Sequence, residues 1–481
     1  MYALVNPRYN TYLFNKSLAE GIFPSQWKRS KLIPLFKSGE KSNPANYRPI
    51  AILPCISKVL EKIVQKQLAQ YLKVNGLLSA AQSGFRDKHS TSTALLKVTD
   101  DWLLAIDEGL YTGAIFIDLK RAFADTVDPF IMLKKLKQMG LSQACLNWFE
   151  SYLTNRKVGT FLNSSLSDFS DIHHCVPQGS ILGPVLFVIY INDIVQQVKD
   201  CNIHLYADDT VLYFSHKDPS HIENVLNNNL KQVYDWMCVN KLSLNPSKTE
   251  SFLIGSRSQL ARRNSLCIKL CGQVIKHKET VKYLGVTLDQ QLKWDVHINI
   301  LCSKVSKLVN YLSRLRYFLN ETCLKLLYNS LILPLFDYAD LIYGSSNTKY
   351  TMQLQKLQNR AGRTILRISP YKHTSNHVIH QLLNWESLNS RRKKHINSMV
   401  FKCLHDLSAP YLKDSFKFIS HNYSLRSNGN LSLPKPKTEY CRRMFIYRGS
   451  SSYNELPSQP KSCSTLTSFN KLINTIIPKF P

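Results

Sequence analysis

The chain has 481 residues, of which 44% are apolar, so it is long enough to bury large cores and to divide into several domains. Its 62 Lys and Arg residues oppose 33 Asp and Glu residues, and the net charge of +29 favours a polyanionic partner, above all nucleic acid. The longest apolar run, residues 185–191, is too short to cross a bilayer and argues against a membrane protein. Charge alone leaves a generally basic soluble protein as an open alternative.

The 12 cysteines are scattered, with no paired CxxC motif and no Cys/His spacing typical of zinc sites. We interpret them as mostly buried, reduced thiols. The first residues lack the basic and apolar segments of a signal peptide. We therefore expect an intracellular protein, in the nucleus, the cytoplasm or both.

The first hundred residues alternate basic and apolar segments. A basic loop after Trp27 is predicted to lead into a strand that ends near Lys37. Pro49 predicts that the segment 47–50 lies at a sheet edge or starts a strand. Apolar residues at spacings of three and four predict a helix over 56–72. The other predicted elements are a loop at 82–86 and a helix that Ser90 or Thr91 caps and that runs to about Ala105.

Residues 114–119 are apolar on both faces, which is typical of a central strand covered by helices. Asp118 lies inside this run, and a buried carboxylate is costly unless it is paired or binds a metal ion. A water-exposed strand end is the alternative for Asp118. Asp128 and Pro129 predict the N-cap and first residue of a helix that Gly140 ends.

Residues 185–195 follow a Gly/Pro-rich loop and predict a buried helix, because they are apolar nearly all round. Two β-branched and aromatic segments over 203–214 then flank Asp208 and Asp209, which predicts a hairpin with both carboxylates at its tip. Adjacent like charges repel, and a hard cation such as Mg²⁺ or Mn²⁺ is the usual reason to hold them together. Taken alone, the motif also fits a solvated turn.

The periodicity changes at Asp295, where a series of amphipathic helices with basic residues begins. These helices are predicted over 295–315, 321–333 and 353–366. After His421 the chain is rich in Ser, Asn, Pro and Lys, and we expect loose structure there.

A helical connection followed by the hairpin would bring Asp118 to the same sheet surface as Asp208 and Asp209. Two ions held there, roughly 3.5–4 Å apart, would bridge phosphate oxygens. One would activate a 3′-hydroxyl and the other would neutralise the leaving pyrophosphate. Catalysis by such a site rests on positioning and charge neutralisation.

Several motifs in their order resemble those of reverse transcriptases, over roughly residues 27–289. The matching polymerase boxes are Phe116–Phe123, Val176–Pro184, Tyr206–Asp209 (the YADD box), Lys248–Thr249 and Tyr283–Gly285. The segments Asn46–Ile50 and Gln82–Arg86 resemble the fingers boxes of non-LTR (LINE) retrotransposons, and of jockey-like elements in particular.

The resemblance implies a role for each matching residue. Asp118, Asp208 and Asp209 would be catalytic and would hold the Mg²⁺ or Mn²⁺ ions. Among the implied nucleotide-binding residues, Phe123 would be a steric gate against a 2′-hydroxyl, and Gln178 and Gly179 would line the nucleotide pocket. Lys37 and Arg48 would bind the triphosphate, and Lys248 would bind the pyrophosphate. The implied primer-binding residues are Tyr283, Leu284 and Gly285. Taken singly, Phe123 also fits a core residue, Gln178 and Gly179 a turn, and the cations ordinary surface charges.

Two residues depart from the family pattern. Ala124 is an extra residue before the motif that starts at Asp125, and Cys175 stands where the family commonly has glycine. A one-residue shift inside a strand turns side chains to the other face, whereas a bulge at a strand end absorbs it. We expect impaired activity with an intact fold. Neither an endonuclease-like segment nor a ribonuclease H pattern is found, so we expect a truncated copy or a partial gene model.

The expected fold is α+β, a right-hand polymerase with fingers over 1–105, an antiparallel-sheet palm over 106–290, a helical thumb over 291–345 and a basic C-terminal region over 346–481. The expected reaction is RNA-templated DNA synthesis. Its partners would be template RNA, a DNA primer and dNTPs, without a membrane; the oligomeric state stays open. The alternatives are an inactive or co-opted relic that binds nucleic acid, a maturase-like splicing protein, and an RNA-templated RNA polymerase, which Phe123 disfavours.

Overall fold

The computed structural model describes most of the chain. The described ranges are 7–119, 127–172, 176–369, 374–419 and 429–479. Phe123, Ala124 and Cys175 lie outside these ranges, and with them the expected steric gate and both departures from the family pattern.

Strands concentrate between residues 29 and 289 of the described chain. In order they are β1 (Arg29–Phe36), β2 (Tyr47–Ile52), β3 (Tyr111–Ile117), β4 (Arg156–Leu162), β5 (Ser165–Leu166), β6 (Ser170–Ile172), β7 (Asn202–Tyr206), β8 (Asp209–His216), β9 (Glu250–Ile254), β10 (Lys269–Leu270), β11 (Gln273–Val274), β12 (Lys276–Lys278), β13 (Thr280–Tyr283) and β14 (Val286–Asp289).

Helices surround these strands and make up nearly all of the regular structure after residue 290. The helices in the first part are α1 (Pro7–Glu20), α2 (Cys55–Val74), α3 (Thr91–Asp107), α4 (Pro129–Gln138), α5 (Gln143–Leu153), α6 (Gly183–Ile191), α7 (Pro219–Val239) and α8 (Arg257–Arg262). The later helices are α9 (Asp295–Leu315), α10 (Glu321–Leu327), α11 (Leu333–Asp337), α12 (Asp340–Tyr343), α13 (Thr348–Ile365), α14 (Asn376–Leu383), α15 (Leu388–Leu404), α16 (Pro410–Lys413), α17 (Glu439–Arg443), α18 (Phe445–Asn454), α19 (Ser458–Lys461) and α20 (Leu466–Ile476).

The central sheet has the strand order β12-β9-β3-β8-β7, in which β3 pairs antiparallel with both of its neighbours. A second sheet joins β2, β1, β4 and β5, with β6 also on β4. The segment 47–50 belongs to β2 at the edge of this sheet, as its proline predicts. The antiparallel pairing of β7, β8, β3 and β9 agrees with the predicted sheet, and β12 adds one parallel pair.

β3 divides two hydrophobic cores, because successive side chains of a strand point to opposite faces. Ile115 and Ile117 contribute to the core that contains α4, α6 and α7. Ala114 and Phe116 contribute to the core that contains α3, α9 and much of the C-terminal region. A strand covered on both faces carries apolar residues on both, and the prediction of a central strand at 114–119 is confirmed over 114–117, while Asp118 and Leu119 lie just after the end of β3.

Local signals set several helix boundaries as predicted. Ser90 and Thr93 form a reciprocal capping box at the start of α3. The Asp128 carboxylate accepts the backbone N–H groups of Phe130 and Ile131 and caps α4. The helix α6 is buried at eight of its nine residues, as its all-round apolar sequence indicates.

The expectation of loose structure after His421 does not fit the range 429–479, which contains α17 to α20. Phe445 in α18 and Phe469 in α20 are fully buried in the same core as α3. A few apolar residues at helical spacing anchor these helices, whereas the polar composition around them suggested a loose chain. The expectation of mostly buried cysteines is also wrong, since six of the described cysteines are exposed.

Within the described ranges, every helix is too short or too polar to cross a lipid bilayer.

The C-terminal region docks on α3 through two aspartates that lie seven residues, about two turns, apart. The Asp100 carboxylate accepts the backbone N–H groups of Phe445 and Ile446 at 2.8 and 3.1 Å and so caps α18. Asp107 accepts the N–H groups of Lys437 and Thr438. Burial raises the pKa of Asp100 to about 6. Two buried carboxylates therefore join residues more than 300 positions away to α3.

Replacing Asp100 with alanine should loosen the start of α18, because two buried N–H groups lose their acceptor. We expect amide exchange at residues 445–446 to speed up by at least about tenfold, equivalent to about 1.4 kcal/mol. Hydrogen–deuterium exchange with mass spectrometry measures this change. The matched control is Asp87→Ala, whose side chain is 73% exposed and pairs with Lys73 at 3.4 Å. Equal exchange in both variants would contradict the docking role of Asp100.

Candidate active site

Asp118 follows β3 directly and is fixed by the loop between α7 and β9. Its backbone carbonyl accepts the Asn245 N–H at 2.8 Å, and its carboxylate accepts the Asn245 side-chain amide at 3.2 Å. The Thr249 hydroxyl accepts the Asp118 N–H at 3.4 Å. Asp118 itself is half-buried. The loop therefore sets the direction of the carboxylate at the end of the strand.

The predicted hairpin at 203–214 is confirmed, and its turn presents the other two aspartates. Tyr206, the last residue of β7, pairs with Asp209, the first residue of β8, so Ala207 and Asp208 form a two-residue turn. The register of β3 and β8 pairs Ile117 with Thr210. This register brings Asp118, the next residue after Ile117, beside Asp209. The fold thus brings together the three carboxylates that the sequence singled out.

The three aspartates repel one another. Burial is the main cause of the raised pKa of Asp208, and the Asp118 charge adds to it, while Arg48 acts in the opposite direction. Burial, Asp208 and Asp118 raise the pKa of Asp209 to about 6. A cluster of this kind favours a bound cation, because the cation offsets the repulsion and the lost hydration.

The donor set fits hard divalent ions, since carboxylate oxygens are the preferred protein ligands of Mg²⁺ and Mn²⁺. Among the described residues, the oxygens of Asp118, Asp208 and Asp209 do not all lie within 4.8 Å of one another. One Mg²⁺ ion with bonds of about 2.1 Å spans at most about 4.2 Å between two of its ligands. In this geometry a single ion therefore does not join all three carboxylates.

A second cluster, formed by Asp337, Asp340 and His395, does have ligand atoms within 4.8 Å of one another. Arg391 donates to both oxygens of Asp337 at 2.5 and 2.7 Å. His395 Nδ1 lies 2.6 Å from an Asp340 oxygen. These groups already pair with one another and with an arginine, so we interpret the cluster as a structural ion-pair network.

Gln178 and Gly179 lie in a loop that packs against β2. The Ala51 N–H donates to the Gln178 carbonyl at 2.8 Å. Gly179 has a φ of +130°, and a Cβ atom there would collide with the Ala51 carbonyl. Arg48 is exposed on the same strand, and its charge lowers the pKa of Asp208. The structure thus places Arg48 within electrostatic reach of the carboxylates and joins the Gln178 loop to the strand that carries it.

The two lysines predicted to meet phosphates are both exposed. Lys37 follows β1, and its N–H donates to the Asn46 carbonyl at 2.9 Å. Lys248 lies in the loop that also carries Asn245 and Thr249, next to Asp118. Their exposure suits both a phosphate contact and an ordinary surface charge.

The expected primer-binding residues are a buried core residue, Tyr283, and a turn formed by half-buried Leu284 and exposed Gly285. The Tyr283 side chain is 3% exposed and packs against Phe116, with ring centroids 5.3 Å apart. Its ring is therefore part of the core beside β3. Leu284 and Gly285 form the turn of the β13–β14 hairpin, both with positive φ. The Tyr338 hydroxyl donates to the Leu284 carbonyl at 2.6 Å and holds this turn.

Sequence reasoning missed the residues that support the site through backbone contacts. Glu61 in α2 is buried, and its carboxylate accepts the Ile181 N–H at 2.7 Å, just after the Gln178 loop. Burial raises the pKa of Glu61. The only signal in the sequence is a carboxylate on the apolar stripe of a helix, beside Leu60 and Val64. The other supporting residues are Gln82, Asn245, Thr249 and Tyr338.

One aspartate at the end of β3 lies beside a tight turn with two more aspartates, in a sheet flanked by helices, which is the arrangement that the sequence predicts for a polymerase site. A model of the reverse transcriptase (RNA-dependent DNA polymerase) family matches residues 37–288, which is more than half of the chain. The chain therefore belongs to the reverse transcriptase family.

Relatives of this chain come from non-LTR retrotransposons. The probable RNA-directed DNA polymerase from transposon BS of Drosophila melanogaster is 28% identical over 403 residues, which cover 80% of this chain and 43% of that protein. The RNA-directed DNA polymerase from mobile element jockey of Drosophila melanogaster is 29% identical over 371 residues, covering 74% and 39%. The chain therefore spans about two fifths of the length of these relatives.

Among solved structures, apo telomerase from Candida tropicalis is similar with a TM-score of 0.41 and 10% identity, over 78% of this chain and 65% of that chain. A telomerase from Candida albicans in complex with a telomeric RNA fragment has a TM-score of 0.37 and 10% identity, over 77% and 64%.

Divalent-ion affinity should fall as the pH falls through about 6, because Asp209 with a pKa of about 6 becomes protonated and no longer binds a cation. We expect Mn²⁺ binding, measured by the free-ion electron paramagnetic resonance signal, to weaken by about tenfold per pH unit below 6. Asp209→Asn should bind Mn²⁺ more weakly near neutral pH and show a flatter pH dependence. The same slope in both proteins would show that Asp209 is not a ligand.

Proposed function

We propose that this chain is an RNA-directed DNA polymerase of a non-LTR retrotransposon, which extends a primer 3′-hydroxyl with dNTPs on template RNA. The convergence of Asp118, Asp208 and Asp209 at one end of the β3–β8 pair carries the proposal. The family match and the similarity to retrotransposon polymerases support it. The net charge of +29 suits a template–primer duplex as the partner.

In the proposed mechanism, Asp118, Asp208 and Asp209 would hold the two divalent ions. Bound Mg²⁺ or Mn²⁺ would supply the charge neutralisation that an attack of the 3′-hydroxyl on the α-phosphate of a dNTP requires. The chain itself contributes position. Asn245 keeps the Asp118 carboxylate directed, and the β3–β8 register keeps the two strand ends together.

The residues around the carboxylates suggest where the substrates bind. Arg48, whose charge already acts on Asp208, would meet the triphosphate, and Gln178 and Gly179 would line the nucleotide pocket. Lys37 and Lys248 are exposed and would add positive charge at the phosphates. Phe123 would act as the gate against a 2′-hydroxyl, as the family resemblance implies.

The turn at Leu284 and Gly285 would hold the primer end, with buried Tyr283 as its anchor in the core. The basic helix α9, with Lys304, Lys307 and Arg314, would follow the backbone of the template–primer duplex.

Asp208→Ala should abolish primer extension, because the metal ions lose a ligand at the turn. With Mg²⁺, a poly(rA) template, an oligo(dT) primer and dTTP, we expect a loss of at least about a thousandfold, the upper range for removing one stabilising group. The control is Asp168→Ala, an exposed aspartate before β6, which should leave extension unchanged. Equal extension by wild type and Asp208→Ala would refute the polymerase. If wild type does not extend the primer but still binds nucleic acid, the result would favour the alternative that the chain is an inactive relic that binds nucleic acid.

Deleting Ala124 should raise primer extension severalfold, because the deletion restores the family spacing between Asp118 and the helix capped by Asp128. The thermal midpoint should stay within a few degrees, since Val127 and Asp128 re-enter the core beyond the insertion. Steady-state extension and thermal denaturation measure the two quantities. Unchanged activity after the deletion would show that the extra residue does not impair the enzyme.

A further inference from the structure

The catalytic turn carries backbone strain that its own hairpin does not relieve. Ala207 has a φ of +57°, a left-handed conformation that costs a residue with a Cβ atom free energy and that glycine or asparagine usually occupies. The turn lies between β8 and the edge strand β7. An edge strand has neighbours on one side only, so contacts from outside the sheet must hold the turn in this geometry.

The loop formed by residues 81–84 supplies these contacts. The Ser83 N–H donates to the Leu205 carbonyl at 2.8 Å, and the Leu205 N–H donates to the Ala81 carbonyl at 2.9 Å. These two bonds extend the sheet beyond β7 with a short parallel bridge. The edge strand that leads into the catalytic turn is therefore covered along its last residues.

Gln82 reaches the turn itself. Its side-chain oxygen accepts the Ala207 N–H at 3.0 Å and also the Gly84 N–H at 2.7 Å. The Gln82 residue is fully buried. The bond fixes the peptide unit between Tyr206 and Ala207, and Ala207 directly precedes Asp208 in the turn. If the acceptor were lost, two buried N–H groups would be left without a partner.

Gly84 allows the loop to approach the backbone of the turn closely. A Cβ atom at this position would collide with the backbone nitrogen of Ala207. The backbone of the loop thus lies directly against the backbone of the turn, and only glycine allows this approach. The contact joins two segments more than 120 positions apart in the chain.

A residue of the C-terminal region holds the loop from the other side. The Tyr411 hydroxyl lies 2.9 Å from the Ser83 hydroxyl and donates to the Thr93 hydroxyl at 3.3 Å. The Ser83 hydroxyl is also 3.2 Å from Nε2 of His204 in β7. A chain of polar contacts therefore runs from α16 through the loop to the strand that carries the catalytic turn.

We propose that the Gln82–Gly84 loop is a positioning clamp for the catalytic turn, and that Tyr411 couples this clamp to the C-terminal region. Gln82 touches neither substrate nor metal in this proposal. Gln82 acts through Ala207 on Asp208. The clamp proposal rests on the proposed polymerase function. The proposal gives residues around 411 a task in catalysis beyond folding.

Gln82→Leu tests the clamp, because leucine has a similar volume but no acceptor. We expect the kcat of primer extension to fall by at least about tenfold, while the KM for dTTP stays within about twofold. Gln82→Glu retains an acceptor oxygen and should restore most of the lost rate. The matched control is Asn229→Leu, a buried amide in α7 that accepts the Lys199 N–H and donates to the Val225 carbonyl.

Thermal midpoints of both leucine variants show how much stability each loses. A loss of kcat in Gln82→Leu with an intact rate in Asn229→Leu supports the clamp. An equal loss in both, or an unchanged kcat in Gln82→Leu, overturns it. If wild type does not extend primers, the proposed function fails, and Mn²⁺ affinity decides instead: weaker binding in Gln82→Leu than in Asn229→Leu supports the clamp, and equal binding overturns it.

Tyr411→Phe tests the coupling to the C-terminal region. Loss of its hydroxyl should lower kcat by about two- to fivefold, a smaller effect because the Gln82 contact remains. Tyr71→Phe is the control, since its hydroxyl bonds to the Met139 carbonyl at 2.9 Å away from the turn. Equal rates in both variants would remove Tyr411 from the proposal.

Discussion

Mutual repulsion of three carboxylates is the constraint around which the structure is arranged. The β3–β8 register brings Asp118 beside Asp209, and the two-residue turn adds Asp208. Each carboxylate raises the free energy of its neighbours, and burial raises the pKa of Asp209 to about 6. A folded chain that keeps this arrangement must hold it from several sides, and the surrounding contacts do so through backbone groups: Asn245 at Asp118, and Gln82 at Ala207.

The strand that carries Asp118 is also where the two hydrophobic cores meet. Alternate residues of β3 enter opposite cores, one with α6 and α7 and the other with α3 and the C-terminal helices. A shift of β3 by one residue would exchange the two sets and turn Asp118 away from Asp209. Packing on both faces therefore fixes the register on which the carboxylate cluster depends, and the cost of repulsion is offset by apolar burial elsewhere.

Short-range patterns in the sequence were enough to predict the hairpin at Asp208, the helix capped by Asp128 and the buried α6, because these follow from neighbouring residues. The burial of Tyr283 was not predicted, since it depends on contact with Phe116, a residue far away in the chain. Helices α17 to α20 escaped prediction because their few apolar anchors find partners only in the assembled core. Gln82 was seen as part of a loop motif, but its bond to Ala207 crosses 125 positions and leaves no local pattern.

The same long-range contacts change how the C-terminal region is understood. Its helices share a core with α3, and Asp100 and Asp107 cap or hold segments that arrive more than 300 positions later. The Tyr411 hydroxyl contacts the Ser83 hydroxyl, which also contacts the imidazole of His204. His204 lies two residues before Tyr206 of the YADD box. Burial lowers the pKa of His204 to about 4, so this imidazole is neutral near pH 7 and adds no positive charge close to the carboxylates. The C-terminal region, through Tyr411 in α16, is thus in contact with the loop that covers the edge strand of the hairpin.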